Sequence, residues 1–381
     1  MEIHPPRKVA IIVETFNRFG SEILSAIGKY VYEHPHWQTT HLDFVTETSP
    51  PPWLANWRGD GIILRDKLGL AYPQAVKTGA KVVDLSIYRY PGRPTVHMDE
   101  YLNIKLCIDC FRERFLEHFA YVGIQNLQFS DWRTNVFQKM VGNAGYVFQI
   151  RSGLPMPKLP RSETTHLQNW LLQLPKPIGV IGCYDPVGLK ILEICERVGI
   201  KVPEEMAVVG INNDESYCRL AKPPLSSVTL DGFRIGYAAC ELLESLMNGR
   251  QPPEKPLEVP PLGLVNRRST DVLALEDRQL IRAIQFLRQN ACLGIGIDDV
   301  AAYARMHRRV LERRFQKVLK RTPLEELHRV RLQTAGELLK TTPLTVEQIA
   351  TKIGFQSVPY FYRAFQKFYG MTPRAYRKAL P

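Results

Sequence analysis

Polar residues stand at the ends of successive aliphatic runs along the first 270 residues of this chain. Glu14, Thr15 and Asn17 close the run that begins at Val9, and Asp84 lies in Lys81 to Leu85. Asp99 follows Thr95 to Met98, Tyr184 and Asp185 follow Ile178 to Gly182, and Asn212 and Asn213 follow Val208 to Ile211. A helix cap or a turn explains any one of them. Their recurrence after strand after strand predicts one shared polar cleft. Such a cleft holds hydroxyl groups through carboxylates, amides and a phenol. Asp84, Asp99 and Asp185 are equally the residue types of an acid and base pair, so an enzyme acting on a carbohydrate remains an alternative. Against it, the sequence has no G-x-G-x-x-G, no phosphate-binding loop, no G-x-S-x-G and no metal-ligand spacing. The close pair Cys107 and Cys110 lies in a helical pattern with no second pair downstream. It reads as two buried small hydrophobes, and the seven cysteines read as reduced thiols. No catalytic residue, metal or cofactor is expected.

A different chemistry occupies the end of the chain. Of the net charge of +12, residues 271 to 381 supply most, with twenty Lys/Arg against ten Asp/Glu. Positive charge concentrated in one module predicts a polyanionic partner, because neutralising phosphates needs local density of cations.

The elements that must position these groups follow from periodicity. In the first part, Val9 to Glu14, Gly61 to Leu64, Lys81 to Leu85, Phe119 to Gly123, Ile178 to Gly182 and Ala207 to Ile211 read as strands. The amphipathic segments Glu22 to Tyr32, Ala71 to Lys77, Arg133 to Asn143 and Pro186 to Val198 alternate with them. That alternation predicts βαβ units and a parallel sheet with helices on both faces. Beyond Val265 the period becomes helical. Glu276 to Gln289 reads as one amphipathic helix. Two units of the same shape follow, Ile297 to Ala304 leading to His307 to Phe315, and Leu344 to Ala350 leading to Gln356 to Phe365. Each is a short helix, a turn and a longer helix, the form of helix-turn-helix. Leu324 to Leu339 is the helix that links them.

The runs Asp185 to Leu189, Glu196 to Glu204, Val208 to Glu215 and Pro224 to Val228 together resemble the effector-binding domain of LacI/GalR regulators. The resemblance implies a periplasmic-binding-protein-like fold with two lobes closing on a sugar over residues 1–268. By position it puts the family's cleft arginine on Arg133, whose fork donates paired hydrogen bonds. Asp84, Tyr184 and Asn212 fall on other cleft positions, with Tyr184 and Asn212 departing from the usual Asn and Asp. Phe16, Phe19 and Trp132 are candidate stacking faces. The segment Phe365 to Arg377 is similar to the end of the AraC/XylS-type DNA-binding domain, which implies an all-α module with two helix-turn-helix units over residues 269–381. The same matching puts base-facing positions on Arg309, Glu312 and Arg313, and in the second unit on Val358, Pro359, Tyr362 and Arg363. Arg308, Arg314, Lys317 and Lys320 are expected phosphate contacts or a solvated face.

A sensor of this kind ahead of an AraC-type module resembles the arrangement of bacterial xylose-operon regulators. It implies a transcription regulator that activates sugar-catabolism genes, not an enzyme, with double-stranded operator DNA and a xylose-like sugar as partners, a homodimer, and contact with RNA polymerase; the departures at Tyr184 and Asn212 leave a constitutive DNA-binding protein with a degenerate sensor as a further alternative. No stretch is apolar enough to span a membrane and the first residues do not read as a signal peptide, so a cytoplasmic protein is expected.

Overall fold

The computed structural model describes residues 6–15, 17–42, 51–65, 71–86, 92–142, 145–151, 159–275 and 277–378. Phe16 and Glu276 lie outside them. The chain divides into two compact units, Met1–Ala274 and Leu275–Pro381.

The first unit has two lobes. In lobe one, β1 (Arg7–Ile12) lies between β2 (Trp37–Leu42) and β3 (Gly61–Leu64), with β4 (Lys81–Asp84) beyond β3, all parallel. Side chains alternate across β1. Val9 and Ile11 join the main core, while Ala10 and Ile12 face a smaller cluster with Leu54, Ile62, Leu64 and Ala75. A sheet covered on both faces has to be apolar on both, which is why VAII reads as continuous. Helix α1 (Arg18–Glu33) and helix α8 (Gly232–Met247) pack on one face. A Cβ on Gly236 would stand 2.4 Å from the Ile23 carbonyl oxygen, so only glycine permits this approach.

Lobe two is a six-stranded sheet in the order β12-β10-β9-β8-β6-β7, parallel except for its edge strand β12 (Gly263–Val265). Its other strands are β6 (His118–Ile124), β7 (Gly145–Ile150), β8 (Ile178–Gly182), β9 (Met206–Ile211) and β10 (Ser226–Thr229). Helices α3 (Glu100–Arg112), α4 (Gln128–Val141), α5 (Arg161–Gln173), α6 (Asp185–Val198) and α7 (Glu215–Leu220) accompany it. The chain passes between lobes at Asp99, where β5 (Val96–Met98) runs into α3. It passes again at Asp231 and between β11 (Leu257–Val259) and β12. Asp99 and Asp231 each cap the helix that follows, accepting from the Leu102 and Arg234 amides at 2.9 and 2.8 Å.

The sequence places the sensor boundary at residue 268, but the first unit runs on to Ala274. Ser269 and Thr270 are fully buried against it: Ser269 Oγ donates to the Val208 carbonyl at 2.6 Å and accepts from the Ser226 amide at 2.8 Å.

The second unit is helical. It contains α9 (Arg278–Asn290), α10 (Ile297–Tyr303), α11 (Arg308–Leu319), α12 (Pro323–Thr341), α13 (Val346–Lys352), α14 (Val358–Tyr369) and α15 (Pro373–Lys378). Thr322 with Glu325 and Thr345 with Gln348 form capping boxes that start α12 and α13. Fully buried Phe315, Phe361 and Phe365 anchor the long helices, as their spacing predicts. No helix among the described residues is long and apolar enough to cross a membrane.

Candidate functional site

The predicted polar residues of the first unit do gather at the carboxyl ends of the strands of both lobes, but most already have protein partners. In lobe one, Glu14 is buried and accepts from Arg65 Nη1 at 2.6 Å, and the Arg65 guanidinium lies 4.8 Å from the Phe19 ring centre. A Cβ on Gly20 would meet the Glu14 carbonyl oxygen at 1.9 Å, so glycine there lets α1 start close against the main chain of Glu14. Asp84 is fully buried, paired with Arg93 and accepting from the Ser86 amide at 2.9 Å. Arg93 stacks on Tyr72 at 3.4 Å.

In lobe two, Arg133 is 3% exposed. Its Nε and Nη2 donate to Glu100 at 2.6 and 3.0 Å, and its Nη1 donates to the Cys183 carbonyl at 2.5 Å. Three of the five guanidinium hydrogens are therefore committed, leaving one on each terminal nitrogen for a ligand. Glu100 takes one edge of the fork and fixes its plane. Phe129 lies 5.3 Å from this guanidinium and meets the Tyr184 ring edge-on at 6.0 Å. Tyr184, Asn212 and Thr15 are half-buried. Asp99 lends one carboxylate oxygen to the α3 cap. Trp132 packs against the core.

Asp185, expected in the cleft, is fully buried, accepting from Ser227 Oγ at 2.5 Å and from the Asp214 amide at 2.7 Å. Burial pushes its carboxyl up to about 7 against the pull of those bonds. It ties the start of α6 to β10 and to the turn after β9. Cys107 and Cys110 are buried as expected, and burial raises both thiols, that of Cys110 to about 11.

In the second unit, Arg309 and Arg313 sit one turn apart on α11 and both are exposed. Glu312, between them, accepts from Arg308 Nε at 3.1 Å, and Arg308 also pairs with Asp298 at 3.1 Å. Arg314 pairs with Asp277 at 2.8 Å, joining the end of α11 to the start of α9. On α14, Pro359 and Arg363 are exposed. Val358 and Tyr362 lean on the core and are only partly available to bases, whereas Tyr360, absent from the expected set, is exposed and faces His328 of α12. Proline at the second helical position loses nothing, since that amide has no intrahelical partner.

Below this surface, fully buried Glu326 gathers Arg288 of α9, Arg321 and Arg329 at 2.8 to 3.1 Å. Burial opposes its charge, yet Arg329 and Arg288 hold the carboxyl down at about 2. Arg331 donates to the Ala291 and Ile295 carbonyls at 2.7 and 3.0 Å, so α12 grips the turn before α10. The two long exposed helices are thus carried on one frame.

Comparison with known proteins matches both halves. Residues 108–270 match the model of a periplasmic binding protein-like domain and residues 300–379 that of a helix-turn-helix domain. The xylose operon regulatory protein of Escherichia coli (strain K12) is 29% identical over 97% of this chain and 96% of its own length. That of Haemophilus influenzae (strain Rd) is 28% identical over 97% and 98%. A solved xylose-binding transcription activator superposes with a TM-score of 0.61, at 28% identity, covering 98% of each chain. The chain is a transcription regulator that carries a periplasmic-binding-protein-like sensor and a helix-turn-helix domain.

For such a regulator the informative residues include three that the expected set lacks. Arg65, Arg93 and Glu100 each neutralise a predicted site residue. Arg65 directly follows Gly61 to Leu64, where the rule that found Glu14 applied equally. Glu100 adjoins Asp99 and looked like an ordinary first-turn acid of α3.

Proposed function

We propose that this regulator senses a pentose, xylose first among candidates, in the cleft between its lobes. The sugar then changes how a homodimer occupies operator DNA and presents itself to RNA polymerase as an activator in the cytoplasm. The observation that carries the reading is the full-length likeness to a xylose-binding activator, at 28% identity over 98% of both chains. Facing sets of polar groups support it: Glu14 with Arg65, Asp84 with Arg93 and Thr15 on one lobe, and Arg133 with Glu100, Asp99, Tyr184 and Asn212 on the other. Charged groups held by neighbours in a dry site offer sugar hydroxyls fixed donors and acceptors without rearrangement. Phe129 and Phe19 supply apolar surface for ring carbons. On DNA, Arg309 and Arg313 reach guanine edges, Glu312 accepts from cytosine, and Arg308, Pro359, Tyr362, Val358 and Arg363 complete the contact.

Calorimetry with a panel of pentoses and hexoses tests the sensor. D-xylose should bind, and Asn212→Ala and Tyr184→Phe, both at half-buried positions, should weaken it at least tenfold while the melting temperature without sugar stays put. Equal heats from xylose and an unrelated hexose would overturn the assignment.

A further inference from the structure

The segment that leaves the sensor is bound to one place in lobe two by an unusual density of side-chain bonds. Arg267 donates from its amide to Ser226 Oγ at 2.7 Å, from Nη1 to the Leu225 carbonyl at 2.9 Å, and from Nη2 to Asn213 Oδ1 at 2.7 Å. Thr270 Oγ1 and Ser226 Oγ share a hydrogen bond at 2.7 Å, and Arg114 donates to the Thr270 carbonyl and to Asn266 Oδ1. The backbone of Arg267 therefore lies along the start of β10 while its guanidinium reaches the turn that follows β9.

That turn is also where the lobes touch. Asn213 has a φ of 49°, a left-handed conformation that Asn tolerates, which turns its carbonyl oxygen to accept from Arg18 Nη1 of lobe one at 2.9 Å. Its side-chain amide donates to Thr229 Oγ1 at 3.0 Å, beside the crossing at Asp231, and its backbone amide donates to Ser227 Oγ, the partner of Asp185. Asn213 thus meets the opposite lobe through its main chain, the crossing strand through Nδ2, and the exit segment through Oδ1. It is 6% exposed and the Arg267 side chain is 14% exposed, so solvent does not strongly dilute the bonds between these two residues.

We propose that Arg267 is the positioning residue that makes the exit segment respond to the relation between the lobes, with Asn213 as the shared joint and Arg18 as the contact from lobe one. The inference rests on the sensing role proposed above. Arg18 can hold the Asn213 carbonyl only where α1 approaches lobe two, so a change in lobe separation makes or breaks that bond. The rigid fork of Arg267 then passes the displacement of Asn213 to Ser226, Arg268 and Thr270 instead of letting the turn move alone. Arg114 plays a different part, since it clamps Thr270 and Asn266 to the end of α3 without touching lobe one.

The test uses the full chain and D-xylose as probe, reading operator affinity by fluorescence anisotropy with and without sugar, and sugar affinity by calorimetry with and without operator. In wild type the sugar should change operator affinity by about tenfold, an ordinary coupling, and operator should change sugar affinity by the same factor. In Arg267→Gln both ratios should fall below about twofold, while sugar affinity without DNA and operator affinity without sugar stay within threefold of wild type. Arg267→Lys, which keeps one donor for Asn213, should recover part of the ratio. A merely structural role would lower the melting temperature and leave the ratio alone. Arg18→Gln, at a side chain 38% exposed, should reduce the ratio without loss of folding. A wild-type chain indifferent to every pentose would overturn the sensing role and the link with it. A responsive wild type, with Arg267→Gln and Arg18→Gln equally responsive, would overturn the link alone.

Discussion

Charged residues behave oppositely in the proposed sugar cleft and on α11, the proposed first recognition helix. In the cleft, Glu14, Asp84 and Arg133 are buried and each has an ionic partner from another segment. On α11, Arg309 and Arg313 stand exposed. A sugar, the proposed ligand, brings no charge of its own, so a buried ion in its site has to be neutralised by the protein. DNA brings phosphates and base edges, so its readers are left for it to neutralise. Glu326 shows that the second unit uses the cleft's device where it needs a frame and not a reader.

The comparison breaks most sharply at a buried pair. Glu100→Ala leaves Arg133 uncompensated at 3% exposure, and an unpaired buried charge costs about 3 to 5 kcal/mol. Urea unfolding of the sensor should show that loss, with the thermal shift by sugar abolished. A loss under about 1 kcal/mol would mean that Arg133 reaches solvent and that the cleft is not dry. Arg309→Ala or Arg313→Ala should leave unfolding unchanged and cost about 1 to 3 kcal/mol on operator with little on random DNA. Equal losses on both would reduce these side chains to backbone contacts.

Much of this contrast is legible in the sequence because strands, caps and helix-turn-helix units have local signatures. Val9 to Glu14 and Ile178 to Gly182 announce buried strands, and Phe315, Phe361 and Phe365 fall on the buried faces of their helices. Edge strands announce less: β2 buries Trp37 but exposes Gln38, Thr39 and Thr40, so it carries no apolar alternation. Partners were least legible, since Glu100 and Arg133 are 33 residues apart and Asp277 and Arg314 are 37 apart. The end of the sensor is hard to read for the same reason. Ser269 and Thr270 read as the start of the second module, and it is their bonds to Ser226 and Val208 that hold them against the first unit.

Asp185 sharpens the comparison with pH. Its carboxyl sits near 7 in the folded protein, above the ordinary range near 4, so the folded sensor keeps a proton that the unfolded chain has lost. The associated stability is complete below about pH 4 and disappears as pH rises through 7, an expected fall of about 2 kcal/mol between pH 5 and 7. Asp185→Asn should flatten that slope. Chemical denaturation of the full chain, following the sensor transition, measures it. A slope unchanged in the variant would assign the pH dependence to other groups.

The smallest effect expected is at Arg308, which belongs to neither class. It is exposed, yet it holds both Asp298 and Glu312. An exposed pair contributes little against solvent screening, so a phosphate can displace it. Displacement would also release Glu312 to accept from a cytosine amino group, coupling a phosphate contact to a base contact through one side chain. In Arg308→Ala the phosphate contact is lost, but Glu312 no longer has to be freed, and the two changes oppose. Operator affinity should therefore shift by less than about 1 kcal/mol, while the slope of log affinity against log salt becomes shallower by about 0.9, one phosphate's worth. Titrations across a salt series measure both. A large loss of affinity with an unchanged slope would place Arg308 on a base and leave Glu312 as its structural partner.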